Sequence, residues 1–247
     1  MRVAGAIISL LCLLSGPAHA DPRLALIIDD IGARADDQRV LSLPTEVTLA
    51  FLPHTPWGRR LALAAWRQDR ELMLHLPMAT LGPKSPGPWA IEPGLDRWQT
   101  QYRVKKALAD IPFVQGVNNH MGSAVTPDAD RMAWVMEELN RKGLYFVDSL
   151  TTAESLAFEQ AQAWGVASIE RDVFLDPDRD PATLNRQWQQ ALKVARHYGQ
   201  VVVIGHPYPD TLAFLELALA DLPEEGVTLV PMSALFSWPV LSPLPAR

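Results

Sequence analysis

Asp29 and Asp30 stand side by side at the end of an apolar run, Leu24-Ala-Leu-Ile-Ile-Asp-Asp-Ile-Gly32. Such a run reads as a strand buried on both faces, the pattern of a parallel sheet. Burying one carboxylate there is costly and two like charges cost more. A cation, hydrogen bonds or solvent must recover that cost at the strand's end. In one reading the pair is a metal ligand and a catalytic carboxylate at the top of an α/β sheet. In the other it opens a loop and caps the next helix. Successive strand side chains point to opposite faces, so the two aspartates differ in role unless the strand bends between them.

Histidine repeats the arrangement. His75 in Leu72-Met-Leu-His-Leu-Pro-Met78, His120 in Val117-Asn-Asn-His-Met-Gly-Ser123 and His206 in Val201-Val-Val-Ile-Gly-His-Pro207 each follow a strand-like run. Three of the six histidines thus stand at C-terminal strand ends, the edge where parallel α/β folds bind ligands. One carboxylate, two imidazoles and an open position form a common hydrolytic zinc arrangement. Asp30, His75 and His120 supply it. Asp29 is then free as general base and His206 as general acid, two groups in surroundings different enough to separate the roles near neutral pH.

Asp148, Arg171 and Asp172 are candidates to orient these histidines, with Asp148 or Asp172 as the carboxylate partner of His206. Arg171 could instead hold an anionic substrate or steady Asp29. Helix capping for Asp148 and a surface ion pair for Arg171 are the competing structural readings. Asn118 and Asn119 read as holders of the His120 turn, and Asn119 is grouped with the residues supporting the site or its substrate. His54, in Leu52-Pro-His-Thr-Pro56, follows a strand too, but the Thr-Pro beside it favours a loop role.

The elements that must position these residues alternate along the chain. Strands are expected at 24–29, 47–52, 71–76, 114–118, 144–148, 166–169, 201–205 and 227–230. Thr55-Pro56 predicts a helix to about Asp69, Thr126-Pro127 another stopped by Gly143, and Asp180-Pro181 a third stopped by Tyr198-Gly199, following the N1-proline and C′-glycine asymmetry. Strand–helix alternation implies right-handed crossovers and a mainly parallel sheet, closed or nearly so. The long irregular stretch from Leu81 to Asp96, rich in Pro and Gly, follows His75 and is expected to form a wall or lid. Trp57 and Trp89, in Pro/Gly-rich loops, could stack on a sugar-like or aromatic ligand.

Arg2, the apolar Val3–Leu14 stretch and Ala18-His-Ala20 have the form of a cleaved secretory signal over residues 1–20. The apolar run is too short for a stable span, so no membrane span is expected after cleavage. Cys12, the only cysteine, lies within that segment, and the mature chain 21–247 has neither a disulfide framework nor a thiolate site. That chain is long enough for a single domain. With a formal net charge of −6 and no basic tract, nucleic acid is not expected as a partner. The proline-rich tail from Ser237 is expected to pack loosely.

The segments Ile27-Ile-Asp-Asp-Ile-Gly32, Leu74-His-Leu-Pro-Met78, Asn118-Asn-His-Met-Gly-Ser123, Phe146-Val-Asp-Ser149, Arg171-Asp-Val-Phe-Leu-Asp176 and Ile204-Gly-His-Pro207 resemble, in order, those of the divergent polysaccharide deacetylases of the glycoside hydrolase/deacetylase barrel superfamily. The resemblance spans nearly all of the mature chain. It implies a distorted (β/α) barrel of about seven or eight mainly parallel strands and a divalent metal, commonly zinc. It also implies Asp29 as base, Asp30 as metal ligand and His206 as acid. Ordinary polysaccharide deacetylases place two metal histidines four residues apart, whereas Ala79 stands four residues after His75. His120 is therefore inferred as the second imidazole. The expected function is a periplasmic, metal-dependent hydrolase deacetylating a polysaccharide or cell-wall glycan. The alternative is a noncatalytic envelope protein using the barrel to bind a ligand or partner.

Overall fold

The computed structural model describes residues 21–237. The proposed signal segment with Cys12, and the tail beyond Ser237, lie outside the described residues. Nine strands form one sheet in which every pairing is parallel: β1 (Arg23–Ile31), β2 (Thr48–Phe51), β3 (Leu72–Met78), β4 (Gly116–Met121), β5 (Tyr145–Asp148), β6 (Ser168–Glu170), β7 (Val173–Phe174), β8 (Gln200–Gly205) and β9 (Thr228–Leu229). The spatial order is β6-β5-β4-β3-β2-β1-β8-β7, with β9 on β1. Helices α1 (Gly58–Trp66), α2 (Arg97–Asp110), α3 (Ala129–Lys142), α4 (Ala157–Ala163), α5 (Pro181–Tyr198) and α6 (Pro209–Ala220) lie between the strands.

Strand parity sorts the apolar side chains into two cores. On β1, Leu24, Leu26 and Ile28 join the outer core with residues of the helices, while Ala25 and Ile27 join the inner one with Ala50, Met73, Val147, Val202 and Ile204. The sheet is therefore curled into a (β/α) barrel with a packed lumen. A final 3-10 turn, Met232–Ser237, adds Met232 and Leu235 to the inner core from below. Truncating an aliphatic residue in either core to Ala should cost about 2–5 kcal/mol. Gly116 has a different constraint: a Cβ there would lie 2.1 Å from the Tyr145 ring on the adjacent strand.

The barrel's seam lies between β6 and β7, which share no ladder among the described residues. The chain steps across it, Arg171 N–H donating to Asp148 O and Asp172 N–H to Val202 O, both at 2.9 Å.

Two helix starts differ from expectation. Thr55 does not cap α1; its hydroxyl donates to Leu52 O, and the helix begins three residues later and stops at Trp66. Asp128, not Thr126, caps α3 by accepting from Arg131 N–H; a carboxylate also suits the positive end of the helix dipole. Asp180 caps α5 as expected, and Gly143 and Gly199 close α3 and α5 in the left-handed conformation at φ 65° and 80°. α2 is capped by an Asp96–Gln99 box that the sequence reading did not single out.

Candidate metal and acid–base site

The site is built at the C-terminal ends of β1, β3, β4 and β8. Asp29 continues the inward parity of Ala25 and Ile27 and is buried. Parity alone would send Asp30 outward to the helices. Instead the β1–β2 register shifts between Ile28 and Ile31, and Asp30 takes φ 59°. This bulge re-aims its carboxylate over the barrel mouth, as bulges beside functional sites do.

On β3, His75 stands two residues beyond the inward-facing Met73. In the parallel register Pro77 pairs with His120 on β4, which brings the second imidazole onto the first. The His75–His120 ring centroids are 4.9 Å apart. Asp30 Oδ1 lies 3.1 Å from His75 Nε2 and 2.8 Å from His120 Nδ1, and the two nitrogens are 3.1 Å apart. Although both nitrogens are so near, Asp30 Oδ1 is buried without a properly directed hydrogen bond. Three donor atoms converge, the two imidazole nitrogens within hydrogen-bond distance of each other and Asp30 Oδ1 without a hydrogen-bond partner. A tetrahedral ion about 2.0–2.2 Å from each donor spaces them ~3.3–3.6 Å apart, so a small outward adjustment accommodates it. The residues fit a divalent metal, and one carboxylate with two imidazoles is a donor set that suits zinc.

Asn118 supports both sides of this cluster. Its Nδ2 donates to Asp29 Oδ1 at 2.7 Å, and its Oδ1 lies 2.8 Å from His75 Nδ1. With the amide nitrogen committed to a carboxylate, the oxygen must accept from His75 Nδ1–H. That fixes the tautomer leaving Nε2 free to ligate.

His206 follows Gly205, which pairs with Ile28, and so sits beside the aspartates. Its Nδ1 lies 2.8 Å from Asp176 Oδ1, its N–H donates to Asp176 Oδ2 at 2.8 Å, and Thr211 donates to that same oxygen. Its Nε2 faces Asp30 Oδ2 at 3.9 Å, outside the donor triangle. Arg34, bonded to Asp37, donates to Pro207 O and holds the turn from the β1 side.

Burial raises the Asp29 carboxyl above the ordinary range, with His75, His206 and Asn118 opposing it in part. Burial works in the same direction on Asp30, but His120 and His75 overturn it and hold that group well below the usual carboxylate range. Burial disfavours charge on His75, yet Asp29 and Asp30 outweigh it and lift the imidazole to about 9. His206 is likewise raised, burial being outweighed by Asp176 first and then by Asp30 and Asp29.

Two carboxylates expected to support the histidines do other work, while Asn119 holds the His120 turn as expected. Asp148 accepts from Leu150 N–H and the Ser155 hydroxyl, tying down the loop after β5. Asp172 accepts from Val202 N–H and stitches the seam. Neither reaches His206; Asp176 is its partner. Asn119 accepts from Ser149 N–H and donates to Met121 O, so it holds the β4 turn. Arg171 donates to Ser149 O and Leu150 O, and its charge faces Asp148 first and Asp29 second. His54 is held in a loop by Asp110, which accepts from its N–H at 2.7 Å. Trp57 packs against the outer core, whereas Trp89 is exposed. The signal that could have found Asp176 is Val173-Phe-Leu175: its first two residues form β7 beside β8, and the chain then delivers Asp176 to His206.

Known proteins share this framework. An uncharacterised protein of Escherichia coli, YibQ, is 36% identical over 230 residues, covering 93% of this chain and 72% of its own. The crystal structure of an uncharacterised protein from Agrobacterium tumefaciens superposes with a TM-score of 0.83 at 25% identity, covering 87% of this chain and 89% of that one. A CE4-family pseudoenzyme from Bacillus anthracis shares the fold at a TM-score of 0.51 and 15% identity, over 89% of this chain and 66% of its own. The family model described as divergent polysaccharide deacetylase matches residues 26–236, and with that match the chain belongs to the divergent polysaccharide deacetylase family.

Proposed function

We propose that the protein is a metal-dependent hydrolase that removes acetyl groups from an N- or O-acetylated glycan. The observation that carries this is the buried, unbonded Asp30 Oδ1 set between two imidazole nitrogens, with a second carboxylate, Asp29, and a third imidazole, His206, beside the triad. A divalent ion held by Asp30, His75 and His120, zinc on the donor set, supplies a Lewis acid for the acetyl carbonyl and lowers the pKa of water. Asp29, buried and raised, accepts the proton of the water that attacks the acyl carbon. His206 Nε2–H then donates to the departing nitrogen or oxygen as its bond to the acyl carbon breaks, releasing acetate and the free amine or alcohol. Asp176 keeps His206 oriented and protonated for that transfer. Asn118 holds the base and one metal ligand in a fixed relation.

The competing reading is a noncatalytic barrel that binds a ligand or partner. That the B. anthracis neighbour is a pseudoenzyme keeps it in view; the complete acid–base pair here favours catalysis. We further propose that residues 21–247 are a single domain exported to the periplasm. Support comes from the signal-like segment.

The test is metal analysis of the purified protein followed by acetate release from a panel of acetylated glycans. Asp29→Asn should keep one metal per chain while turnover falls ~10²–10⁴-fold. Equal release by wild type and variant would remove Asp29 from the chemistry, and no release by either would favour the binding module.

A further inference from the structure

Away from the mouth, the described surface leaves an unusual set of rings in solvent. Trp98 is 71% exposed, Trp89 49% and Tyr102 37%. Trp98 and Tyr102, one turn apart on α2, stack with centroids 5.2 Å apart and planes 13° from parallel. Trp89 lies 6.2 Å from Tyr102 and 6.3 Å from the His54 ring on the other side. The four rings form a continuous line. Contiguous exposed apolar surface of this kind marks a binding site more often than a random feature.

The line is anchored to the rim of the site. Trp89 belongs to the loop after β3, whose Ile91 bridges to Met78 at the end of the His75 strand. His54 follows β2, which pairs with both β1 and β3. Trp89 also adopts φ 60°, a conformation costly for a bulky side chain. The Ile91 backbone bonds to Pro77 and Ala79 hold the loop from one side, and Arg103, donating to Ala90 O, holds it from the other. The loop is thus fastened with its indole facing out, rather than folded onto the core.

We propose that Trp89, Tyr102 and Trp98 form a noncatalytic platform for a glycan chain that continues outward from the mouth. The inference rests on the glycan reading of that mouth and adds that the substrate is a polymer rather than a single sugar. A sugar ring has an apolar C–H face and a polar edge, so its receptor needs a flat aromatic surface flanked by hydrogen-bonding groups. Among the other exposed positions of α2, Arg97 and Lys105 turn to Glu137 and Glu138 and Gln99 to the Asp96 cap, which leaves Lys106 beside the rings. Lys106 Nζ itself lies 5.6 Å over the Tyr102 ring. A protein-binding core would instead be depleted of such charges.

The probes are glycol chitin and acetylated xylan, cast into native gels to retard any protein that binds them. Wild type should be retarded by at least one polymer. Trp98→Ala/Tyr102→Ala should lose roughly 10-fold in apparent affinity, with metal content and acetate release from a short acetylated sugar unchanged. Trp98→Phe/Tyr102→Phe keeps two flat rings and should restore most of the retardation. Equal mobility of wild type and the alanine variant in both polymers, retarded or not, overturns the platform. A halved solution mass of the alanine variant also overturns it, reassigning the rings to a contact between copies. Absence of acetate release with ring-dependent retardation would remove the hydrolase reading and leave the platform standing.

Discussion

At the lower end of the barrel Glu71, just before β3, is buried beside Thr48, which opens β2, and Tyr145, which opens β5. Its carboxylate accepts from the Tyr145 hydroxyl at 2.6 Å, from the Thr48 hydroxyl at 3.4 Å, and from the N–H and hydroxyl of Ser233. Thr48 in turn accepts from Met232 N–H. At the upper end Asp30 is set against two imidazoles and retains a buried oxygen with no directed bond. Both ends bury a carboxylate, and in both the desolvation cost must be recovered. Below, protein donors recover it and the network is closed, fastening the last 3-10 turn beneath the barrel. Above, His120 and His75 recover it in the metal-free protein, but as a donor set that an ion can take over. A closed polar network marks structure; an open one marks chemistry.

The strongest way to break this contrast is a crossed pair of variants. His75→Ala removes one of three donors and should abolish stoichiometric metal binding, a loss above ~100-fold in affinity, while the metal-free protein still folds, its melting temperature lowered only where the His75 charge contributes, below pH about 9. Glu71→Ala should do the reverse. It leaves buried donors on Tyr145, Thr48 and Ser233 unsatisfied, costing roughly 2–5 kcal/mol in urea unfolding, with the metal content of the folded fraction unchanged. If Glu71→Ala lost metal in proportion to stability, the two ends would not be independent.

A finer test addresses Asn118, which the sequence placed only as a holder of the His120 turn. Asn118→Leu keeps its volume but deprives His75 Nδ1–H of an acceptor and Asp29 of a donor. Metal affinity should fall ~10–100-fold in chelator competition, with turnover falling in addition.

What the sequence did and did not reveal follows the same division. Strands such as 24–29 and 201–205 are legible because an apolar run buried on both faces leaves a mark in every residue. The histidines at their ends are legible because a polar residue interrupts that mark. β7 has only two residues, too few for any periodicity, and with it went Asp176. The bulge at Asp30 depends on the register against β2, which no local pattern reports. Asp148 and Asp172 have the right residue type at the right height, but nearby backbone N–H groups claim their oxygens first. The Thr126-Pro127 helix start failed for a related reason, an acidic residue two positions on making the better cap, while Thr55 spends its hydroxyl on Leu52 O.

The two ends should also respond differently to pH. Burial opposes the charge on His75, but Asp29 and Asp30 raise it from 6.5 to about 9. In the metal-free protein the stability from that charge is therefore complete below pH ~6.5 and lost as pH climbs through about 9. Metal must displace the same proton, so its apparent affinity should rise up to tenfold per pH unit across that window. Burial and the Glu71 charge push the Tyr145 phenol well above 10, so this partner in the lower network does not titrate there. A metal affinity independent of pH between 6.5 and 9 would mean that His75 is already neutral without the ion.

The smallest expected effect isolates one bond of the lower network. Tyr145→Phe keeps the ring that lies across Gly116 and packs 4.9 Å from Phe236, and removes only the hydroxyl that donates to Glu71. The carboxylate still has Thr48 and Ser233, so the cost should be about 1–2 kcal/mol in urea unfolding. Because Tyr145 stays un-ionised, the wild-type-to-variant difference should remain constant from pH 6.5 to 9 while the metal-free melting temperature of both proteins falls together. Metal stoichiometry and turnover should match wild type. A difference that shrank with rising pH would show that the proton on His75 is felt through the packed lumen of Met73 and Val147, and that the open network at the mouth is coupled to the closed one beneath it.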